Sequence, residues 1–231
     1  MNLASALAVS SVCVGFVQAA PFENLGFDLA NTNRVTVTPG AAFTGTGLTE
    51  DLLPGWQLFK GSVPQTTLGL NLSLLSGGYA TLISADQGQY FGWTVEGSYA
   101  LDLFASAGNQ DTLSLSQRGD IPADAQWLSY RYEGYPFLLD INGTELQPAR
   151  QSPNSEAFDI SAFRGQTVDL RLTVLGPAMP SEAGYSVVDS IAFTIPEPST
   201  WVLISLGCLA LRFAPRTTPR PPHSQHRLFQ A

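Results

Sequence analysis

Thr167-Val-Asp-Leu-Arg-Leu-Thr-Val174 decides the fold. Val168, Leu170, Leu172 and Val174 fall on one side of an extended chain, and Asp169, Arg171 and Thr173 on the other. A period of two with one apolar face is the pattern of a β-strand half buried against a core. The same alternation recurs in Tyr99–Ala105, Thr112–Ser116, Gln126–Tyr132 and Phe137–Ile141. Asn142-Gly143 follows the last of these and suits a type I′ hairpin turn into Glu145-Leu146. Asp159-Ile-Ser161 ahead of Ala162-Phe-Arg-Gly165 reads as one helical turn, capped by Ser161 and stopped at Gly165. Between residues 20 and 195 no long stretch carries a 3.6-residue apolar period, no internal repeat appears, and no linker is long enough to separate a second domain. The expectation is an all-β antiparallel two-sheet sandwich, flanked by an N-terminal signal peptide and a C-terminal short apolar helix.

The chain's ends read as addresses. Leu3 to Phe16 is apolar enough for a signal h-region, and Val17-Gln18-Ala19 places small residues where cleavage needs them, giving a signal peptide over residues 1–19 cut after Ala19. The β-sandwich domain then occupies residues 20–195. Pro196-Glu197-Pro198 forbids a helix or a paired strand. Trp201 to Leu211 carries no charge and would span about 17 Å as a helix, short of the roughly 30 Å of bilayer hydrocarbon. Arg212 and Arg216 follow as a basic stop that favours the cytoplasmic side. Residues 196–214 are thus a sorting motif with a short transmembrane helix, and residues 215–231 a disordered basic tail.

Composition excludes more than it selects. Residues 20–198 hold all 19 acidic residues but only 7 of the 11 basic ones, a net charge of −12. A phosphate backbone needs clustered Lys and Arg, so nucleic acid is excluded as a partner. Both cysteines, Cys13 and Cys208, and both histidines, His223 and His226, lie outside residues 20–198. The exported domain therefore has no thiol nucleophile, no Ser-His-Asp triad, no His-ligated zinc and no disulfide. Carboxylate chemistry survives, as paired-acid glycoside hydrolysis or oxygen-only metal binding, but no particular acid pair stands out. Sugar stacking on aromatic faces is also open. Trp56 after Pro54-Gly55 and Trp93 after Gly92 are the candidates, with Tyr79, Tyr90, Tyr132 and Tyr135 behind them. Burial of Trp127 is ambiguous from the alternation alone.

Two resemblances add to this reading. Pro196-Glu197-Pro198, an apolar run with Leu206-Gly207 and trailing arginines resemble the PEP-CTERM sorting tail of Gram-negative bacteria. That implies processing by an exosortase, transient residence in the inner membrane, and export to the envelope, cell surface or an exopolysaccharide matrix. The tail continues past the basic cluster further than is usual for that family. Asn24-Leu-Gly-Phe-Asp28, Leu53-Pro-Gly-Trp-Gln57, Leu115–Pro122, Phe158–Arg171 and Val188–Phe193 are similar, in order, to galactose-binding-like jelly rolls. This second resemblance implies that first and last strands approach each other and that Asp28 and Asp189 are candidate ligands of a structural Ca2+. The combined expectation is a non-catalytic structural or adhesive protein of an extracellular polysaccharide or biofilm matrix. The alternatives are a carbohydrate-binding module and, behind it, a carboxylate-pair glycoside hydrolase.

Overall fold

The computed structural model describes residues 20–37, 44–71, 78–105, 112–174 and 184–195. By its internal contacts the chain divides into two units, residues 1–195 and 196–231, and the fold is that of the first. The signal segment with Ala19, the Pro196-Glu197-Pro198 motif, the apolar run and Arg212 and Arg216 lie outside the described residues. Among the described residues no helix is long and apolar enough to cross a membrane.

The strands are β1 (Thr36–Val37), β2 (Gly45–Leu48), β3 (Gln57–Lys60), β4 (Val63–Gln65), β5 (Thr67–Leu70), β6 (Tyr79–Ser84), β7 (Tyr99–Ala105) and β8 (Leu113–Asp120). There follow β9 (Trp127–Gly134), β10 (Leu138–Ile141), β11 (Thr144–Leu146), β12 (Arg150–Ser152), β13 (Ser155–Asp159), β14 (Thr167–Val174) and β15 (Gly184–Thr194). They form two sheets, one in the order β1-β2-β5-β6-β7-β15-β9-β13-β12 and one in the order β11-β10-β14-β8-β3-β4. Every pairing is antiparallel except β5 with β6. This is the all-β sandwich that the alternation called for.

The core follows the period of two. Val168, Leu170, Leu172 and Val174 of β14 are all buried and pack in one cluster with Leu113 and Leu115 of β8 and Leu139 and Ile141 of β10. Leu82 of β6, Leu101 and Leu103 of β7, Leu128 and Tyr130 of β9 and Val188 of β15 meet them from the other sheet. Full burial of each aliphatic side chain contributes about 1.5–3 kcal/mol, so four on one strand fix its register against a one-residue slip. Asn142 (φ 53°) and Gly143 (φ 78°) make the left-handed turn between β10 and β11.

Several expectations need correction. Asn24–Asp28 is no strand: Asn24 (φ 51°) and Phe27 (φ 59°) are left-handed, and the turn drives the Phe27 ring fully into the core. The turn at Ser161–Phe163 is capped by Asp159, whose Oδ1 accepts the Ser161 N–H at 2.9 Å, rather than by Ser161. Two helices appear that no period announced, α1 (Thr49–Leu52) and α2 (Ala85–Phe91). Both are too short to display a 3.6-residue stripe. Arg118 of β8 pairs with Asp169 of β14 at 2.9 Å.

Candidate binding site

Antiparallel register brings side chains of β6, β7, β15 and β9 into rows across the outer face of the larger sheet. Tyr79, Phe104 and Tyr185 form the first row. Thr81, Asp102, Val187 and Glu133 form the second. Ile83 with Ala100, and Asp189 with Arg131, continue the third. Ile83, Ala100, Phe104 and Val187 are buried yet stand apart from the central core cluster. Their cover comes from the outside, where α2 packs on β6 and β7 and the segment 92–98 follows it.

Segment 92–98 is held by carboxylates. The N–H groups of Thr94, Glu96 and Ser98 donate to Glu133 (3.0 Å), Asp189 (2.6 Å) and Asp28 (2.5 Å) in turn. Alternate residues of an extended segment point their N–H groups the same way, and each here meets an acid. Charge-assisted bonds of this kind are roughly twice as strong as neutral ones. Asp189 also accepts the N–H of Ser190 at 2.6 Å, and Asp28 that of Tyr99 at 3.3 Å. Arg131 pairs with the Glu96 carboxylate, and the Ser190 hydroxyl donates to it at 2.5 Å. That hydroxyl, ahead of the guanidinium, holds Glu96 below the usual carboxylate range. Ser190 (φ 52°) marks the irregularity in β15 that turns Asp189 toward the segment. Gly97 (φ 78°) lies against the Asp28 carboxylate with no room for a Cβ.

Burial acts on two of these acids. Asp189 is 3% exposed and is pushed up to about 6 by desolvation, against the pull of its two N–H donors. Asp102 is 2% exposed and is pushed up to about 7 by desolvation, opposed by a hydrogen bond from Tyr79. Its Oδ1 has no hydrogen-bond partner.

The outcome for the sequence candidates is mixed. Asp28 and Asp189 are brought to one segment, close enough that the Asp28 charge raises Asp189. The arrangement fits a hydrogen-bonded latch rather than a calcium shell of six to eight oxygens. Three of the four carboxylate oxygens already face N–H groups, whose positive ends would oppose a cation. Among the described residues no group of three His, Cys, Asp or Glu side chains is placed to hold a metal ion. The expectation for Trp56 is overturned. It is 4% exposed, packs on Phe27 and donates from Nε1 to the Asn24 carbonyl at 3.0 Å, so its ring faces the core. The turn at Pro54-Gly55 sends the indole inward.

Trp93 is half buried and lies 5.6 Å from Tyr185, centroid to centroid, at 32°. Tyr79 stacks on Phe104 at 4.9 Å, and the N–H of Tyr135 donates to the Tyr185 carbonyl at 3.1 Å. Tyr185 and Tyr135 are each 41% exposed. The outer face thus carries two aromatic pairs, Tyr79–Phe104 and Trp93–Tyr185, with Phe104 and Tyr185 in register on adjacent strands and the Tyr185 ring exposed. Sequence reasoning missed Tyr185, although the alternation Tyr185, Val187, Asp189 places it on that face. It also missed Glu96, Glu133 and Asp102, whose partners (the Arg131 and Ser190 side chains, the Thr94 N–H and Tyr79) are distant in sequence and leave no mark in local spacing. Trp127 is half buried, with the Arg150 guanidinium 4.5 Å above its ring.

Flat aromatic faces beside polar groups stack well against pyranose rings. Acid–base hydrolysis would need carboxyls that reach a substrate, and both oxygens of Asp189 are turned to the main chain.

No family model and no curated protein matches the chain. Among solved structures, TmCBM61 in complex with β-1,4-galactotriose is similar over 62% of this chain and 89% of its own, at 13% identity and a TM-score of 0.38. The K2 cleaved adhesin domain of Lys-gingipain is similar over 66% of this chain and 99% of its own, at 15% identity and a TM-score of 0.39. Likenesses this distant carry no argument about what this chain binds, and its fold rests on its own two sheets.

Proposed function

We propose that this chain is an exported, non-catalytic β-sandwich that holds extracellular polysaccharide through the outer aromatic face of its larger sheet. The in-register row Tyr79–Phe104–Tyr185, extended by Trp93, is the observation that carries the reading. Rigid rings fixed by strand pairing offer stacking area at little entropic cost, as sugar recognition requires. Delivery runs through the chain's ends: a signal peptide cut after Ala19, and a PEP-CTERM-like tail taken by an exosortase at Pro196-Glu197-Pro198. The role that follows is structural or adhesive, in the matrix outside a Gram-negative cell.

Two measurements test this. Trp93→Ala and Tyr185→Ala should each weaken binding to the producing cell's own exopolysaccharide about tenfold or more, a cost of ~1.4 kcal/mol, while circular dichroism and melting temperature hold. Chelation with EDTA should leave wild-type binding unchanged, since the Asp28–Asp189 latch is closed by N–H groups. Binding that needs calcium would return those carboxylates to the role of ligands. Unaltered binding by both aromatic variants would remove the face from the account. For delivery, intact-mass analysis of protein recovered from the envelope should show loss of residues 1–19 and of the segment after the Pro-Glu-Pro motif, and a full-length mass would overturn it.

A further inference from the structure

The smaller sheet has its own outer face, on the opposite side of the sandwich. Gln57 of β3 stands opposite Ser116 of β8, Ser116 opposite Arg171 of β14, Arg171 opposite Asp140 of β10, and Asp140 opposite Glu145 of β11. Five polar side chains therefore cross five strands in one line, over about 19 Å at the usual strand spacing of ~4.8 Å. Phe59 stands beside them on β3, and the whole lines a concavity of about 620 Å³.

Much of the hydrogen-bonding capacity along this line is uncommitted. The Arg171 guanidinium lies over the Phe59 ring at 5.3 Å and makes no ion pair among the described residues. Stacking orients the guanidinium plane and leaves its N–H edges free to donate. The side chains of Gln57 and Ser116 have no hydrogen bond among the described residues. Asp140 spends Oδ1 on the Gly143 N–H at 2.8 Å and keeps Oδ2, and Glu145 receives only Gln147. Two groups that both donate and accept (Gln57 and Ser116), a donor (Arg171) and two acceptors (Asp140 and Glu145) thus follow one another along a straight track.

From this we infer a second binding site, a groove across the smaller sheet for an extended, uncharged, hydroxyl-rich chain, that is, a neutral oligosaccharide segment. Charge selects the occupant. Asp140, Asp169 and Glu145 outnumber Arg171 and the already paired Arg118, in a domain of net −12, so a polyuronate or a nucleic acid is repelled. A protein partner would need a buried apolar anchor, and the groove offers only Phe59 and the 36%-exposed Leu138. The inference deepens the proposed function: with one site on each outer face, the domain bridges two polysaccharide strands instead of coating one.

The test uses the full chain and three neutral β-1,4-linked tetrasaccharides, of galactose, glucose and mannose, with tetragalacturonate as the charged comparison, by titration calorimetry. At least one neutral tetrasaccharide should bind, and Arg171→Ala should weaken it tenfold or more. Gln57→Ala, at an exposed position, should weaken it in the same direction and covers the case in which the arginine variant fails to fold. Turbidity of the host exopolysaccharide should rise with wild-type protein and not with Arg171→Ala, although the variant still sediments with the polymer. Silence of all three neutral sugars, tighter binding of tetragalacturonate, or full cross-linking by Arg171→Ala overturns the groove. In the last case polymer binding that still falls with Tyr185→Ala leaves the proposed function standing. Loss of all polymer binding by wild type fells the proposed function itself, while an Arg171-dependent tetrasaccharide signal would keep the groove.

Discussion

Asp102 is the residue whose chemistry is most at odds with its surroundings. It stands at the centre of the covered face, 2% exposed, with one oxygen unpartnered. Burial favours its neutral form and raises it from 3.8 to about 7. The folded state therefore binds a proton that the unfolded chain has already lost across pH 4 to 7. Stability from this group is complete below pH 4 and is lost as pH rises through 7, over about 3 units and on the order of 4 kcal/mol. Asp102→Asn keeps the acceptor for Tyr79 and removes the charge, so it should raise the urea midpoint at pH 8 and leave it nearly unchanged at pH 4. Equal midpoint shifts at both pH values would show that the carboxyl is not the cause. Nothing in the sequence marks Asp102. Tyr99–Ala105 reads correctly as a strand with Asp102 on the polar side, and only the arrival of α2 and segment 92–98 turns that side into an interior.

Elements divide by how local their causes are. β7 and β14 match their sequence-predicted bounds because alternation over seven or eight residues is set by the residues themselves. β8 and β9 run longer than expected, to Asp120 and Gly134, because strand pairing with β14 and β15 extends them. The turn at Asn24–Asp28 defeated the reading, since its residues look extended and only the pull of the core on Phe27 bends them. Segment 92–98 was legible just as Trp93. Its latch joins Asp28, Glu133 and Asp189 through backbone N–H groups, and a backbone donor has no letter in the sequence. Gly97 is its weak point. Gly97→Ala places a side chain at φ 78° and against the Asp28 carboxylate, which costs more than the ~1 kcal/mol typical of a left-handed residue alone. Hydrogen exchange at the Glu96 and Ser98 amides should speed up at least tenfold in that variant, with β14 amides still protected. Uniform loss of protection would mean that the latch is part of the global fold, whereas no change would mean that it holds nothing.

For residues 20–198 as a whole, charge is the dominant long-range term. Residues 20–198 carry 7 basic against 19 acidic residues. The ion pairs Arg34–Asp51, Arg118–Asp169 and Arg131–Glu96 are exposed on at least one side, and pairs of this kind contribute about 0–1 kcal/mol each. Twelve unbalanced negative charges on one small domain repel over a Debye length of about 10 Å at 0.1 M salt. Salt therefore screens more repulsion than attraction, and compactness gains. Raising sodium chloride from low concentration to 0.15 M should lift the melting temperature, by about 2–4 °C for each kcal/mol of repulsion removed. A fall would show that the ion pairs, and Arg131–Glu96 at the latch first, govern stability. The same field sets the partners. Neutral polysaccharide feels no repulsion, so under the proposed function its binding should vary little with salt, while any affinity for an acidic polymer should emerge only as salt is raised. A binding constant for neutral polymer that drops steeply with salt would reveal ion pairing, which neither aromatic stacking nor hydrogen bonds to neutral hydroxyls supply.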